Sequence, residues 1–347
     1  MSLINGFIGT YTNGHLGRAK GIYSFALNEN GAVENIALVA ECVNPAYLTL
    51  SPSKKRLYVV NESSEGMVSA YSLEPERPRF LNQKPSNGAS PCHIVINNAA
   101  THAFVANYLS GTLCVLALEP NGSLGDPVQL IQFTGSGPNK ERQEASHAHF
   151  FMLDRSNTHG FACDLGADCL MAFRFLPNQA YAPLAPLSPY RARPGSGIRH
   201  GVFHPNGGLA YIAYELDSTM ETLRYDGQGG FERLQTLSTL PPAFQRPSTV
   251  AAIKLSPDAR HLYASNRGHD SIAVYELNAG KTLTLVDILP SEGKTPRDFA
   301  IDPSGNFLLV CHQDSDNLVV FRIDRNTGLF TKVGEYPMPS GVCILLY

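Results

Sequence analysis

At 347 residues, length alone would suggest about two domains, and 43% hydrophobic with 16% charged residues allows a sizeable core. The 27 Lys and Arg against 30 Asp and Glu give a net charge of −3, so no basic field is on offer to nucleic acid or to an anionic membrane. The 30 glycines and 24 prolines suit many short strands joined by turns.

The 7 cysteines (42, 92, 114, 163, 169, 311, 343) are odd in number, show no CxxC spacing and mostly fall inside apolar runs such as Thr112–Leu118. Free, buried thiols of a reducing compartment are expected. The opening MSLINGFIGTY has neither a basic n-region nor a long apolar h-region, so no secretory signal is expected. No apolar run approaches the roughly 20 residues of a membrane span. The expectation is a cytoplasmic protein with neither a membrane nor a nucleic-acid partner.

In chain order, GFIGTYTN and then GIYSFALNENGAVENIALVA read as strands two to four of a unit that lacks its first strand. A fuller module follows: apolar strand, turn with Pro, Asn, Asp or Gly, second apolar strand, polar end residue. Its copies are NPAYLTLSPSKKRLYVVNE, SPCHIVINNAATHAFVANY, SHAHFFMLDRSNTHGFACDL, GIRHGVFHPNGGLAYIAYE, VAAIKLSPDARHLYASNR and TPRDFAIDPSGNFLLVCHQ. The third is the most telling. It opens on His147 and His149, continues through Phe150–Leu153 and Gly160–Cys163, ends on Asp164, and leads into the alternating run Cys169–Phe175.

The turns begin at Ser51, Asn97, Asp154, His204, Ser256 and Asp302. Their spacing lies in the range of propeller repeats. An alternating third strand follows each pair (MVSAYSL, TLCVLAL, SIAVYEL, NLVVFRI), and a weaker fourth follows that. Four antiparallel strands per unit make a propeller blade. The C-terminal MPSGVCILLY resembles the missing first strand, so pairing chain end with chain start completes a seventh blade and removes an exposed edge. The expected fold is an all-β, seven-bladed β-propeller forming a single domain over residues 1–347. The irregular inserts 135–146 and 188–197 are expected to be loops at the mouth of a site.

In a propeller, the start of strand one and the end of strand two lie at the same end of the channel. The first positions carry Tyr47, Cys92, His93, His149, Arg199, His200, Ala251, Arg297 and Asp298. The second carry Tyr11, Asn61, Glu62, Asn107, Tyr108, Asp164, Glu215, Asn266, Arg267, His312 and Gln313. The opposite ends carry ordinary turn residues. Scattered solubility charges have no reason to share a register, so a pocket is expected where these residues converge. The three Asn can equally pin the turn after strand two, Asp164 and Asp270 can satisfy loop amides, and His204 sits at the wrong end. His149, Arg199, Glu215 and Arg267 are harder to assign to structure, because two guanidiniums and a carboxylate are costly to desolvate unless they serve a ligand or one another.

The segments NPAYLTLSP, ERQEASHAHFFMLD, DLGADCLMAFRF, GIRHGVFHPNGGLAYIAYELDST, SNRGHDSIAVYEL, TPRDFAIDPSGNFLLVCHQDSDNLVVF and PSGVC closely resemble the seven-bladed lactonase family. That family includes the propeller-type 6-phosphogluconolactonases and the fungal carboxy-cis,cis-muconate cyclase, and the resemblance spans essentially the whole chain. It implies a reacting set of His149, Arg199, Glu215 and Arg267, with Ile198 in place of the usual Pro and Tyr214 in place of the usual Asn. The turn alignment favours His149 over His147 as the reacting histidine.

The resemblance further implies hydrolysis of a small anionic sugar lactone, 6-phosphogluconolactone first among them, in the pentose phosphate pathway and without a cofactor. Lactone opening needs a base for water, an acid for the leaving alkoxide and donors for the oxyanion. Glu215 or His149 can serve as base, His149 as acid, and Arg199 and Arg267 as anion-binding forks. His147, His200, Arg297, Arg142, Asn266, Gln313 and Glu62 are the remaining candidates for substrate binding. His147 and His149, two apart on a strand, would share a face and could hold a metal, but no third ligand stands out. Two other readings stay open: a muconate-type cyclase using the arginines on carboxylates, and a non-catalytic binding propeller. Against the latter, the chain has no Trp and no WD-type signature.

Overall fold

The computed structural model describes residues 3–14, 16–73, 77–278 and 282–347, and every regular element among them is a β-strand. The strands form seven antiparallel sheets, the architecture of a seven-bladed β-propeller. Six run in chain order, innermost strand first: Pro45–Leu50 to Arg79–Pro85, Pro91–Ile96 to Leu124–Gln132, Ala148–Leu153 to Leu184–Pro186, Ile198–Phe203 to Phe231–Ser238, Thr249–Leu255 to Leu283–Pro290, and Pro296–Ile301 to Phe330–Pro337. The seventh is made from both ends of the chain. Gly341–Leu346 pairs with Ile4–Thr10, which continues to Gly21–Leu27 and Val33–Glu41, as expected.

Burial falls off along each sheet. Second strands such as His102–Asn107 and Leu209–Tyr214 are buried throughout, so they read as continuous apolar runs. Fourth strands such as Leu283–Pro290 and Phe330–Pro337 are mostly exposed. Their weak sequence signal has that cause: an outer strand has little apolar surface to bury.

The six internal turns share one geometry. The fourth residue of each turn donates its N–H to the carbonyl of the first, from Lys54 to Ser51, Ala100 to Asn97, Asn157 to Asp154, Gly207 to His204, Ala259 to Ser256 and Gly305 to Asp302. Those donors all have φ between 52° and 77°, and only two of them are glycine. The others accept a strained left-handed conformation.

A second device recurs on the first strands. The register with strand two slips between Pro45 and Tyr47, Pro91 and His93, Ala148 and Phe150, Val250 and Ile253, and Pro296 and Asp298. Each slip is a β-bulge holding a residue five before its turn: Ala46, Cys92, His149, Ala251 or Arg297. Bulges bend a strand and re-aim a side chain. The expectation that His147 and His149 share a face is therefore corrected. The strand begins at Ala148, and His149 is its extra, unpaired residue.

The chain divides into two compact units. Unit 1 comprises Met1–Val43, Leu209–Leu223 and Arg233–Tyr347; unit 2 comprises Asn44–Gly208 and Arg224–Glu232. Unit 1 has a core in which Ile8 and Ile344 from the two chain ends pack with Leu309, Leu318 and Val320. In unit 2 the inter-sheet layer includes Val60, Ile94, Val105 and Cys114, and Phe104 stacks on Phe151 with centroids 4.7 Å apart. Six of the seven cysteines are buried, Cys114 and Cys311 within these core layers. Burial pushes the Cys114 thiol up to about 12, which keeps it protonated and inert.

Candidate functional site

In unit 2, the residue four before each turn carries a ring in four successive blades: Tyr47, His93, Phe150 and His200. Neighbouring centroids are 4.4, 3.9 and 4.5 Å apart, so the rings form a continuous ladder. His149 is 5% exposed and meets His200 at 5.3 Å and Tyr108 at 5.6 Å, edge to face in both cases. The Cys92 thiol donates to the His149 carbonyl oxygen at 3.2 Å, fixing the bulge from the preceding blade. The Phe151 N–H donates to Nδ1 of His93 at 3.3 Å, which leaves the proton of a neutral His93 on Nε2.

His147 has a different place. Its Nδ1 lies 3.0 Å from the Tyr108 carbonyl oxygen and its Nε2 lies 3.0 Å from Glu144 Oε1. Its ring stacks on Tyr108 with centroids 4.6 Å apart, and its backbone N–H donates to Asp164 Oδ1 at 2.8 Å. Asp164 also accepts from Gly166 and Ala167, so it holds the entrance to this strand, the loop-amide role open to it from sequence. Arg199, at the same offset from its turn as His149, is 2% exposed. Its charge reaches Cys163, whose thiol is raised by burial, raised further by Asp164 and lowered by Arg199. Of the remaining candidates in this unit, Arg142 donates to the Tyr108 hydroxyl at 3.2 Å, and the Glu62 carbonyl oxygen accepts from Asn44 at 2.9 Å.

In unit 1, Glu215 and Arg267 sit at equivalent ends of second strands, each eleven residues after the first residue of its turn. Arg267 Nη2 lies 2.9 Å from Glu215 Oε2, with the Glu215 side chain 4% and the Arg267 side chain 17% exposed. The pair is a desolvated carboxylate held by a guanidinium, the arrangement in which two charges compensate one another. Arg297 lies over the Tyr11 ring at 5.3 Å. Gln313 reaches the Leu16 carbonyl oxygen at 3.4 Å. Asn266 is fully buried: its Nδ2 donates to the Thr239 carbonyl oxygen and to Ser271, and its Oδ1 accepts from Thr239. Asn61 and Asn107 are also buried; Asn61 Oδ1 accepts from Ser69 and Asn107 Nδ2 donates to Thr112, so each of the three is tied to the strand that follows.

Sequence reasoning missed the ring ladder, although the offset of four before the turn was readable. It also missed Tyr108 as the piece that joins His147, His149 and Arg142. Among the described residues, no group of three or more His, Cys, Asp or Glu is arranged to hold a metal ion.

Residues 5–346 match the family model described as Lactonase, 7-bladed beta-propeller. The chain belongs to the seven-bladed β-propeller lactonase family. Within that family it is 35% identical over 346 residues to the 6-phosphogluconolactonase of Bacillus subtilis, covering 98% of this chain and 97% of the relative. It is 33% identical over 345 residues to the 6-phosphogluconolactonase of Formosa agariphila, covering 96% and 97%. The solved structure of the periplasmic gluconolactonase of Pseudomonas aeruginosa superposes with a TM-score of 0.93 at 31% identity, covering 99% of both chains.

Proposed function

We propose that this member of the lactonase family hydrolyses a sugar δ-lactone, with 6-phosphogluconolactone as its preferred substrate and His149, Arg199, Glu215 and Arg267 as its reacting residues. The observation that carries the reading is the Glu215–Arg267 ion pair at 2.9 Å, a buried carboxylate–guanidinium couple formed by two members of the family's reacting set. Two relatives bear the name of the phosphorylated substrate's enzyme and a third that of the unphosphorylated one, so lactone opening is the common ground.

Water must lose a proton as its oxygen bonds to the lactone carbonyl carbon. The tetrahedral intermediate then expels the ring oxygen, which must gain a proton to leave as a hydroxyl. A carboxylate clasped by a guanidinium is a weakened base, so His149 takes the water's proton and returns it to the ring oxygen. Arg199, held within a buried shell, supplies donors to the oxyanion without having to reorganise. Glu215 orients Arg267, whose fork binds substrate oxygens.

The test is steady-state hydrolysis of 6-phosphogluconolactone and glucono-δ-lactone by His149→Ala and Glu215→Gln, with circular dichroism confirming the fold. Removing a general acid–base group lowers kcat about 100- to 10,000-fold, so His149→Ala should fall in that range. Glu215→Gln should raise KM more than it lowers kcat. A folded His149→Ala enzyme with wild-type rates would end the catalytic assignment and favour a binding propeller.

A further inference from the structure

The insert 135–146 is a built structure. Gln143 is fully buried at its centre: its backbone N–H donates to Asn139 at 2.7 Å, its carbonyl accepts from Gly137 at 2.9 Å, and its Nε2 donates to the Leu165 carbonyl oxygen at 2.9 Å. The side-chain Oε1 accepts from the Asn139 N–H at 3.3 Å. Gly137 is needed for this packing, since a Cβ there would lie 2.3 Å from Gln143 Oε1. The residues on either side of Gln143 are thereby aimed. Glu144 is taken up by His147, and Arg142 is placed on the Tyr108 hydroxyl.

Tyr108 links this arm to the candidate acid–base residue. Its ring is stacked on His147 and lies edge to face with His149, centroids 5.6 Å apart, and its hydroxyl receives the Arg142 guanidinium at 3.2 Å. Arg142 and the His149 imidazole are therefore both in contact with the one Tyr108 side chain. In a sugar δ-lactone the ring carbon that bears the C6 phosphate arm is bonded to the same ring oxygen as the carbonyl carbon, so the phosphate lies close to the reacting centre and falls to a cationic side chain near His149. A planar guanidinium fork matches the oxygens of a phosphate monoester. The Tyr108 hydroxyl sets the orientation of that fork.

We infer that Arg142, seated on Tyr108, is the subsite that recognises the 6-phosphate, with Tyr108 as its positioning residue. This rests on the lactonase reading above and deepens it, by assigning the phosphate to one of several cationic side chains and to an insert rather than to the blades. Glu144 is the acidic neighbour on the same arm. Its own backbone amide, and then His147, hold its carboxyl below the usual range. The charge of Arg142 acts on the same carboxyl more weakly, while the carboxyl's hydrogen bond goes to His147.

The experiment compares kcat/KM for 6-phosphogluconolactone with that for glucono-δ-lactone in wild type, Arg142→Gln, Arg142→Lys and Tyr108→Phe. Wild type is expected to prefer the phosphorylated lactone. Arg142→Gln should cut that preference about tenfold or more, Arg142→Lys should keep part of it, and Tyr108→Phe should fall between wild type and Arg142→Gln, mainly through KM. A wild-type enzyme with equal rates on both lactones overturns the phosphorylated-substrate reading and this subsite with it. A wild-type preference that survives intact in a folded Arg142→Gln overturns the subsite alone.

Discussion

His312 lies ten residues after the first residue of its turn, where other blades place Asn61, Asn107, Asp164, Tyr214 and Asn266. It is fully buried, with Nδ1 at 3.4 Å from the Asn317 carbonyl oxygen, and its ring fills the space beside Gly293. Desolvation lowers its pKa to about 4, against weaker raising effects from Asn317, Asp270, Ser291 and Glu335. The unfolded chain would protonate this group near the ordinary histidine value of about 6.5. Between roughly pH 6.5 and 4 the unfolded state thus binds the extra proton, and stability falls as pH falls. A gap of that size corresponds to about 3 kcal/mol. His312→Asn, which restores the residue type of three other blades, should flatten the stability–pH curve over that window. Chemical denaturation at pH 7 and pH 4.5 measures it, and a variant with the same loss as wild type would show that other groups drive the acid sensitivity.

At the scale of elements, Asp168 joins two loops of unit 2 that sequence alone keeps apart. Its carboxylate accepts the Gly195 and Gly197 N–H groups, both at 2.6 Å, just ahead of Arg199, while Asp168 itself holds φ 52°. Asp270 and Asp316 occupy the same offset and take the Thr295 and Ser340 amides in the same way, the amide role that sequence left open for Asp270. Asp168→Ala strands two amides and leaves a poor left-handed former, so a loss of about 2–4 kcal/mol is expected. Asp168→Asn, which tolerates that conformation and keeps one acceptor, should lose roughly half as much. Urea denaturation decides it, and a change under about 0.5 kcal/mol, the range of ordinary surface substitutions, would remove the clasp. The clasp also marks where sequence reading stops. The strand pairs and turns were legible because apolar runs and turn residues repeat at fixed offsets. A carboxylate bonded to backbone amides 27 and 29 residues away leaves no such pattern. Nor does the bulge at His149, since a two-against-one register exists only between paired strands.

For the whole molecule, the decisive contact is between the two ends of the chain. Gly341–Leu346 adds to Ile4–Thr10 in the register Gly6 to Leu346 through Thr10 to Gly341, and Tyr347 stacks on Phe7 with centroids 5.2 Å apart. Val342, Cys343 and Ile344 are each 2% exposed, and the Ile344 N–H donates to Asp298, which also pairs with Lys254 at 2.9 Å. Ending the chain at Pro339 uncovers the edge of Ile4–Thr10 and removes three buried side chains. At about 1.5–3 kcal/mol each, their loss approaches the whole net stability of a folded domain. An unpaired edge of that kind also templates association. The shortened chain should therefore aggregate or melt far below the full-length protein. A synthetic peptide of residues 338–347, added in trans, should restore solubility by pairing with the same edge. Size-exclusion chromatography and thermal melting with and without the peptide read both effects. A shortened chain that stays monomeric with an unchanged melting temperature would mean that the pairing of the ends contributes little to stability, however regular its register.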